Sequence, residues 1–336
     1  MLPVAIGADG GELGVPVHVL VGGEDGPTLV VMAAAHGYEL QQISVIRELV
    51  RVVDCDALVG TLLLVPVANP VAFEMGTRCS WMDGLWGDSG NMNRLWPGRA
   101  NGWLTERFCA AIASQVIAGA TAVIDLHACT NGLDLAYGYL GPGEAGALDY
   151  EISRAFGHEI LVQPTQEEVV EKRQTSGTSK VYVRSQGIAQ YSCEIGEFYG
   201  LGSERGSSPQ DELFRGVPEV GVTGVSNVMK LLGMVEGELR RPRVQVRVSP
   251  ELNLRPSHGG LLISHYDKTS IGTAVPKGTV LGTLVSPYSF KVLEEITAPF
   301  DESLLLATPR GKPFSKVLPG EFAYIVADHS RTVTLE

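Results

Sequence analysis

Between Thr28 and Ala35 the chain reads TLVVMAAA, and it passes through His36-Gly37-Tyr38-Glu39 into ELQQISVIRELVRVV. A segment apolar on both alternations is stable only as a strand covered on two faces. The stretch from Glu39 to Val53 places its apolar residues at helical spacing instead. A doubly buried strand feeding a helix through so short a turn confines the chain to an α/β layer architecture.

The same alternation continues through the first two-thirds of the sequence. Strands are expected at Val15–Val21, Thr28–Ala35, Gly60–Val67, Ala120–Leu126, Ile160–Gln163 and Ile188–Cys193. Helices are expected at Glu39–Val53, Leu104–Ala118, Asp149–Phe156 and from about Glu219 to Met234. After Arg240-Arg241-Pro242-Arg243 the texture changes to short alternating segments separated by turn residues, which predicts a small all-β domain. The expected division is therefore 1–240 and 241–336.

With 19% charged and 44% apolar residues, the composition is that of a soluble globular protein. A net charge of −12 gives no basic face for a nucleic acid, and no apolar run reaches the length of a membrane helix. The start of the chain lacks the basic and apolar stretches of a secretory signal. The five cysteines, Cys55, Cys79, Cys109, Cys129 and Cys193, are scattered without a C-x-x-C pair. That pattern favours a reducing cytoplasm over a disulfide framework. Cys129 and Cys193 read as small residues lining strand ends.

The chemistry sits where strands end. His36 and Glu39, three residues apart at a strand–helix junction, can face one ion, and His127 closes the apolar strand Ala120–Leu126. Two imidazoles and a carboxylate form a three-ligand zinc set that leaves a position for water. Asp125, two residues before His127, falls on the same strand face and can orient that histidine. Glu194 ends the strand at Ile188–Cys193 and is followed by glycine-rich sequence, a placement suited to a general base. Glu197 competes for that role.

The ordered set His36-Gly37-Tyr38-Glu39, Asn69-Pro70, Arg78, Asn93-Arg94-Leu95-Trp96-Pro97-Gly98, Asp125-Leu126-His127, Glu194-Ile195-Gly196 and Pro256-Ser257-His258-Gly259-Gly260 resembles the succinylglutamate desuccinylase and aspartoacylase family. The resemblance runs along nearly the whole chain. It implies a zinc-carboxypeptidase-like mixed central sheet flanked by helices, with the C-terminal β domain that family members carry. It implies one Zn²⁺ per chain on His36, Glu39 and His127, and it selects Glu194 over Glu197 as the base. Arg78 would stabilise the oxyanion. Asn93, Arg94 and Arg184 would grip a substrate carboxylate, for which a guanidinium offers a planar bidentate fork.

One departure from the family is the longer connection CSWMDGLWGDSG between Arg78 and Asn93. Trp81 and Trp86 either line the pocket and favour a bulky acyl group, or pack the loop or a subunit interface. In the C-terminal region, Val275-Pro276-Lys277-Gly278 and Ala298-Pro299-Phe300-Asp301 resemble biotinyl or lipoyl carrier domains. No lysine stands in an M-K-M hairpin, so this domain is expected to shape the pocket mouth or a homo-oligomer contact. His258 and His265 are assigned to its turns.

The expected function is hydrolysis of the amide bond of an N-acyl amino acid or a similar small carboxylated amide. The alternatives are a zinc carboxypeptidase acting on peptides and a zinc- or small-molecule-binding protein without catalysis. Elemental mass spectrometry should find about one zinc per chain in the purified protein and none in His127→Ala.

Overall fold

The computed structural model describes residues 1–81, 90–128, 133–135, 137–142, 145–163, 177–195, 217–249, 251–309 and 315–335. Strands β1 (Leu2–Ile6) and β2 (Glu12–Val15) form a small antiparallel sheet of their own. They are followed by β3 (His18–Val21), β4 (Glu24–Met32), α1 (Gln41–Val52), β5 (Val59–Val65), α2 (Pro70–Met75) and α3 (Leu104–Ile112). Next come β6 (Ala122–His127), β7 (Leu133–Leu135), β8 (Tyr137–Tyr139), α4 (Leu148–Phe156), β9 (Ile160–Val162), α5 (Ser179–Ser185), β10 (Ala189–Glu194) and α6 (Val217–Leu231). The rest is β-structure: β11 (Gln245–Val248), β12 (Glu251–Leu254), β13 (Gly260–Ser264), β14 (Ala274–Pro276) and β15 (Val280–Val285). It ends with β16 (Val292–Thr297), β17 (Glu302–Pro309), β18 (Ser315–Val317), β19 (Tyr324–Asp328) and β20 (Val333–Leu335).

Among the described residues, nine strands build one mixed sheet in the order β20-β11-β9-β8-β10-β6-β4-β5-β3. Its centre, β5, β4, β6 and β10, is parallel. Both faces are covered. Leu29 and Val31 of β4 pack with Val45, Ile46 and Leu49 of α1 and with residues of α4 and α6. Val30 and Met32, pointing the other way, pack with Phe108 and Ile112 of α3 and Val183 of α5. This two-sided burial is why the central strands read as continuous apolar runs.

Several expected elements shift for identifiable reasons. The strand expected at Val15–Val21 is two strands in different sheets, because Pro16 breaks the ladder between them. The helix expected at Leu104–Ala118 is α-helical only to Ile112 and continues as one π-helical turn through Ile117. Helix α6 forms despite Gly221 and Gly224, whose missing side chains let it lie close to its neighbours. A Cβ on Gly221 would meet Val45 at 2.4 Å, and one on Gly224 would meet Phe156 at 2.5 Å. Two short helices were not foreseen. The Asn69 side chain caps α2, accepting from Ala72 N at 3.2 Å, and Thr178 caps α5.

The C-terminal β-region has two further sheets, β12-β19-β17-β14 and β16-β15-β13-β18, with an apolar interior that includes Leu262, Leu281, Leu305 and Val326. The hydrogen-bond ladder does not follow the expected division at 240. Strands β11 and β20 belong to the nine-stranded sheet, and β7 pairs with β17 of the C-terminal region. No helix among the described residues is long and apolar enough to cross a membrane.

Within this fold, His158 is buried with its ring stacked on Phe156, and its Nδ1 shares a hydrogen bond of 2.7 Å with the Tyr191 hydroxyl. Burial pushes its pKa down from 6.5 to about 4. The unfolded chain therefore takes up this proton before the folded one. The contribution is complete above the ordinary value of 6.5 and is lost as pH falls from there towards 4. His158→Gln should flatten the stability–pH curve between those limits relative to wild type, removing at most about 3 kcal/mol of pH-dependent change. Denaturant titrations at a series of pH values would measure it.

Candidate active site

Strand β4 was expected to run to Ala35 but stops at Met32, because Ala34 adopts a left-handed conformation with φ of 51°. Such a conformation is costly for a residue with a Cβ and persists only where its surroundings fix it. Here backbone hydrogen bonds clamp the turn on both sides. Ala33 N donates to Val65 O at 2.9 Å, Ala68 N to Ala33 O at 2.9 Å, and Asn69 N to Ala34 O at 3.1 Å. The chain is thereby turned away from the sheet, and His36 to Glu39 become a separate loop ahead of α1. Gly37 is obligatory in it, since a Cβ there would lie 1.9 Å from the Ala72 backbone.

The loop brings His36 and Glu39 to His127 at the carboxyl end of β6, and one ligand atom from each lies within 4.8 Å of the others. All three residues are buried. His36 Nδ1 is 2.7 Å from Glu39 Oε1, and His127 Nδ1 is 3.1 Å from Glu39 Oε2. The other ring nitrogens face oxygen acceptors, His36 Nε2 meeting Asn91 Oδ1 at 3.2 Å and His127 Nε2 meeting Asp125 Oδ2 at 3.0 Å. Asn91 Oδ1 also accepts from Asn93 N at 3.1 Å, which identifies it as the oxygen. The acceptor at His36 Nε2 calls for a proton there, leaving Nδ1 of that ring with a lone pair aimed at a carboxylate oxygen. Two sets of lone pairs facing one another need a cation between them. The donor set, its spacing and its supporting acceptors fit a divalent metal such as zinc.

The electrostatics show how strongly this cleft attracts positive charge. Burial pushes the Glu39 pKa upward, but the two imidazoles outweigh it and hold the carboxyl down at about 2. Burial lowers the pKa of His127, yet Asp125 and Glu39 together carry it well above the ordinary imidazole value. His36 is lowered, chiefly by burial. Asp125 is a buried carboxylate kept ionised against burial by His127 and the Ser179 hydroxyl.

Glu194 ends β10 in register with His127, and Ile195 N donates to His127 O at 2.8 Å. Its Oε2 is buried and has no hydrogen-bond partner among the described residues. Burial, with a further push from Glu39, raises its pKa to about 7 against the opposing charges of His127 and Arg78. Gln42 of α1 ties the two strand ends together, donating to the carbonyls of His127 and Ile195.

Of the other expected residues, Arg78 and Arg94 come to the site and Arg184 does not. Arg78 Nη1 lies 4.0 Å from Glu39 Oε1 and donates to the Tyr38 hydroxyl at 2.9 Å. Arg94 is close enough for Arg78 to add to the effect of burial in lowering its pKa, and its Nη1 donates to Asn93 O at 2.6 Å. Asn93 Oδ1 accepts from Ser179 N at 3.0 Å and so fixes the start of α5. Arg184 makes its contacts elsewhere. Its guanidinium is engaged by Asp149 at 2.9 Å and by Gln190 O at 3.3 Å, at the amino end of β10. Glu194 stands four residues further along that strand, roughly 13 Å away. Arg184 thus ties α5 to α4 and to the start of β10.

Trp81 is 71% exposed, whereas Trp96 is buried and stacks on Tyr182. Trp86, Glu197 and Cys129 lie outside the described residues. His258 pairs with Glu294 at 3.1 Å, away from this centre.

The fold and this site define an α/β scaffold with a His/Glu/His centre at the carboxyl ends of parallel strands. The sequence profile of the succinylglutamate desuccinylase/aspartoacylase catalytic domain matches residues 25–210. The chain belongs to this family of deacylases. It is 27% identical over 240 residues to the N-alpha-acetyl-L-2,4-diaminobutyric acid deacetylase of Halomonas elongata, a match covering 69% of the chain but only 62% of that relative. The product-bound ectoine utilization protein EutE (DoeB) of Ruegeria pomeroyi superposes with a TM-score of 0.78 at 21% identity, covering 97% of this chain and 93% of that one. An aspartoacylase family protein of Mesorhizobium loti gives 0.74 at 25% identity, covering 97% and 92%.

Asn91 was not singled out in the sequence, yet it holds His36 as Asp125 holds His127. Asn91→Ala should weaken zinc binding about 10-fold, as loss of a ligand-orienting partner does. Competition against a chromophoric chelator would measure this.

Proposed function

We propose that this protein is a zinc-dependent, cytoplasmic deacylase that cleaves the amide bond of an N-acyl amino acid or a similar small carboxylated amide. The observation that carries the reading is the pairing of His127 with Glu194 on adjacent parallel strands, beside Glu39 and His36. Metal-ligating donors and an unpartnered buried carboxylate oxygen thus share one strand-end cleft. The family and the relative from Halomonas elongata, named for removing an acetyl group from an amino acid, support the same reaction class.

His36, Glu39 and His127 would hold the ion, which when bound supplies Lewis acidity and lowers the pKa of a water. Glu194, with a pKa raised to about 7, takes the proton of the attacking water on its carboxylate. It then delivers that proton to the departing amine nitrogen, so that water is added across the C–N bond. Arg78 donates to the carbonyl oxygen as negative charge grows there. The Arg94 guanidinium binds the carboxylate of the amino-acid part, and Asn93 holds the backbone beside it through Ser179.

Glu194→Gln should retain its zinc and lose about 10²–10⁴-fold in kcat. Near-wild-type turnover in that variant would remove Glu194 as the base. N-acetyl-2,4-diaminobutyrate, N-acetylaspartate and N-succinylglutamate, assayed beside dipeptides, should be the substrates turned over. Preferential cleavage of the dipeptides would make the protein a carboxypeptidase.

A further inference from the structure

The middle of the ligand loop holds a residue with no part in the reaction described above. Tyr38 lies between His36 and Glu39 and is 7% exposed. Its hydroxyl accepts from Arg78 Nη1 at 2.9 Å, and the same nitrogen stands 4.0 Å from Glu39 Oε1. A guanidinium and a carboxylate of opposite charge at that separation attract strongly in a buried setting, and closure to direct contact is the expected outcome. Such a closure would harm both partners. Glu39 would share its lone pairs with an arginine instead of a metal ion, and Arg78 would be drawn from the place where a substrate carbonyl must lie.

The backbone does not prevent it. The ligand loop and the arginine segment are already joined, Gly37 N donating to Thr77 O at 2.9 Å and Thr77 N to Ala72 O at 3.0 Å. These bonds fix where the two segments run, but the long Arg78 side chain keeps its own torsional freedom. The phenol is what engages its terminal nitrogen. It is neutral, so it satisfies an N–H without cancelling the guanidinium charge. It is also rigid, with few torsions, and its ring lies in the same loop as the ligands, 6.3 Å from the His36 ring centroid.

We propose that Tyr38 is a positioning residue whose hydroxyl holds the Arg78 guanidinium off Glu39, keeping the arginine for the substrate and the carboxylate for the metal. The proposal rests on the reading of His36, Glu39 and His127 as a metal site, and it does not require a particular substrate.

The test is a double-mutant cycle read first in zinc affinity, by chelator competition, and then in kinetics. Tyr38→Phe keeps the ring and removes only the hydroxyl. It should weaken zinc binding about 10-fold, and it should lower kcat/KM mainly through kcat. Adding Arg78→Gln to Tyr38→Phe should restore zinc affinity to within about twofold of Arg78→Gln alone, because the competing cation is gone. A purely structural tyrosine would not be rescued in this way. Unchanged zinc affinity in Tyr38→Phe, or an equal loss with and without Arg78, would overturn the proposal. A wild type that binds zinc but cleaves no N-acyl amino acid would remove the deacylase reading and leave this one standing. A wild type that takes up no zinc would remove this one.

Discussion

A carboxylate with no exposure to water, Glu39, sets the terms for the whole cleft. An ionised carboxyl cannot be buried alone, so every neighbouring element has to supply it with positive charge or donors. The imidazoles come from the two ends of the site, His36 from its own loop and His127 from β6. Arg78 stands behind them at 4.0 Å. Each of these groups is held in turn, His127 by Asp125, Asp125 by Ser179, and His36 by Asn91. The chain of contacts extends to α5, whose first residue, Ser179, touches both Asp125 and Asn93. The segment that carries His127 and the segment that carries Asn93 therefore share one support.

How much of this was legible in the sequence depended on the range of the interaction. Central strands announced themselves because both faces are buried, and His36, Glu39, His127 and Glu194 stood out because each falls at a strand end. The break at Pro16 went unread in the expected strand Val15–Val21, although proline removes a ladder donor there. Ala34 was not readable, because an alanine in the left-handed region leaves no mark on composition. The fate of Arg184 was hidden for another reason. Its partner Asp149 lies 35 residues away, and only the packing of α4 beside β10 brings the two together. Asn91 and Asn93 look interchangeable in NMNR, yet one orients a ligand and the other anchors a helix start.

Helix α6 shows the same limit from the opposite side. Glycines lowered its apparent helix propensity, whereas in the folded chain their lack of a side chain is what admits Val45 and Phe156. Local preference argued against the helix and tertiary packing decided for it. The helix completes the cover over the sheet face on which α1 and α4 also lie.

The path of the chain after residue 240 has a mechanical consequence. Strand β7, a few residues beyond His127, is laddered to β17, while β11 lies in parallel beside β9 of the large sheet. The C-terminal region is thus stitched to the catalytic sheet at two places far apart in sequence. Swinging it outward as a rigid flap would tear main-chain hydrogen bonds at both seams, so it acts as a fixed wall rather than a door.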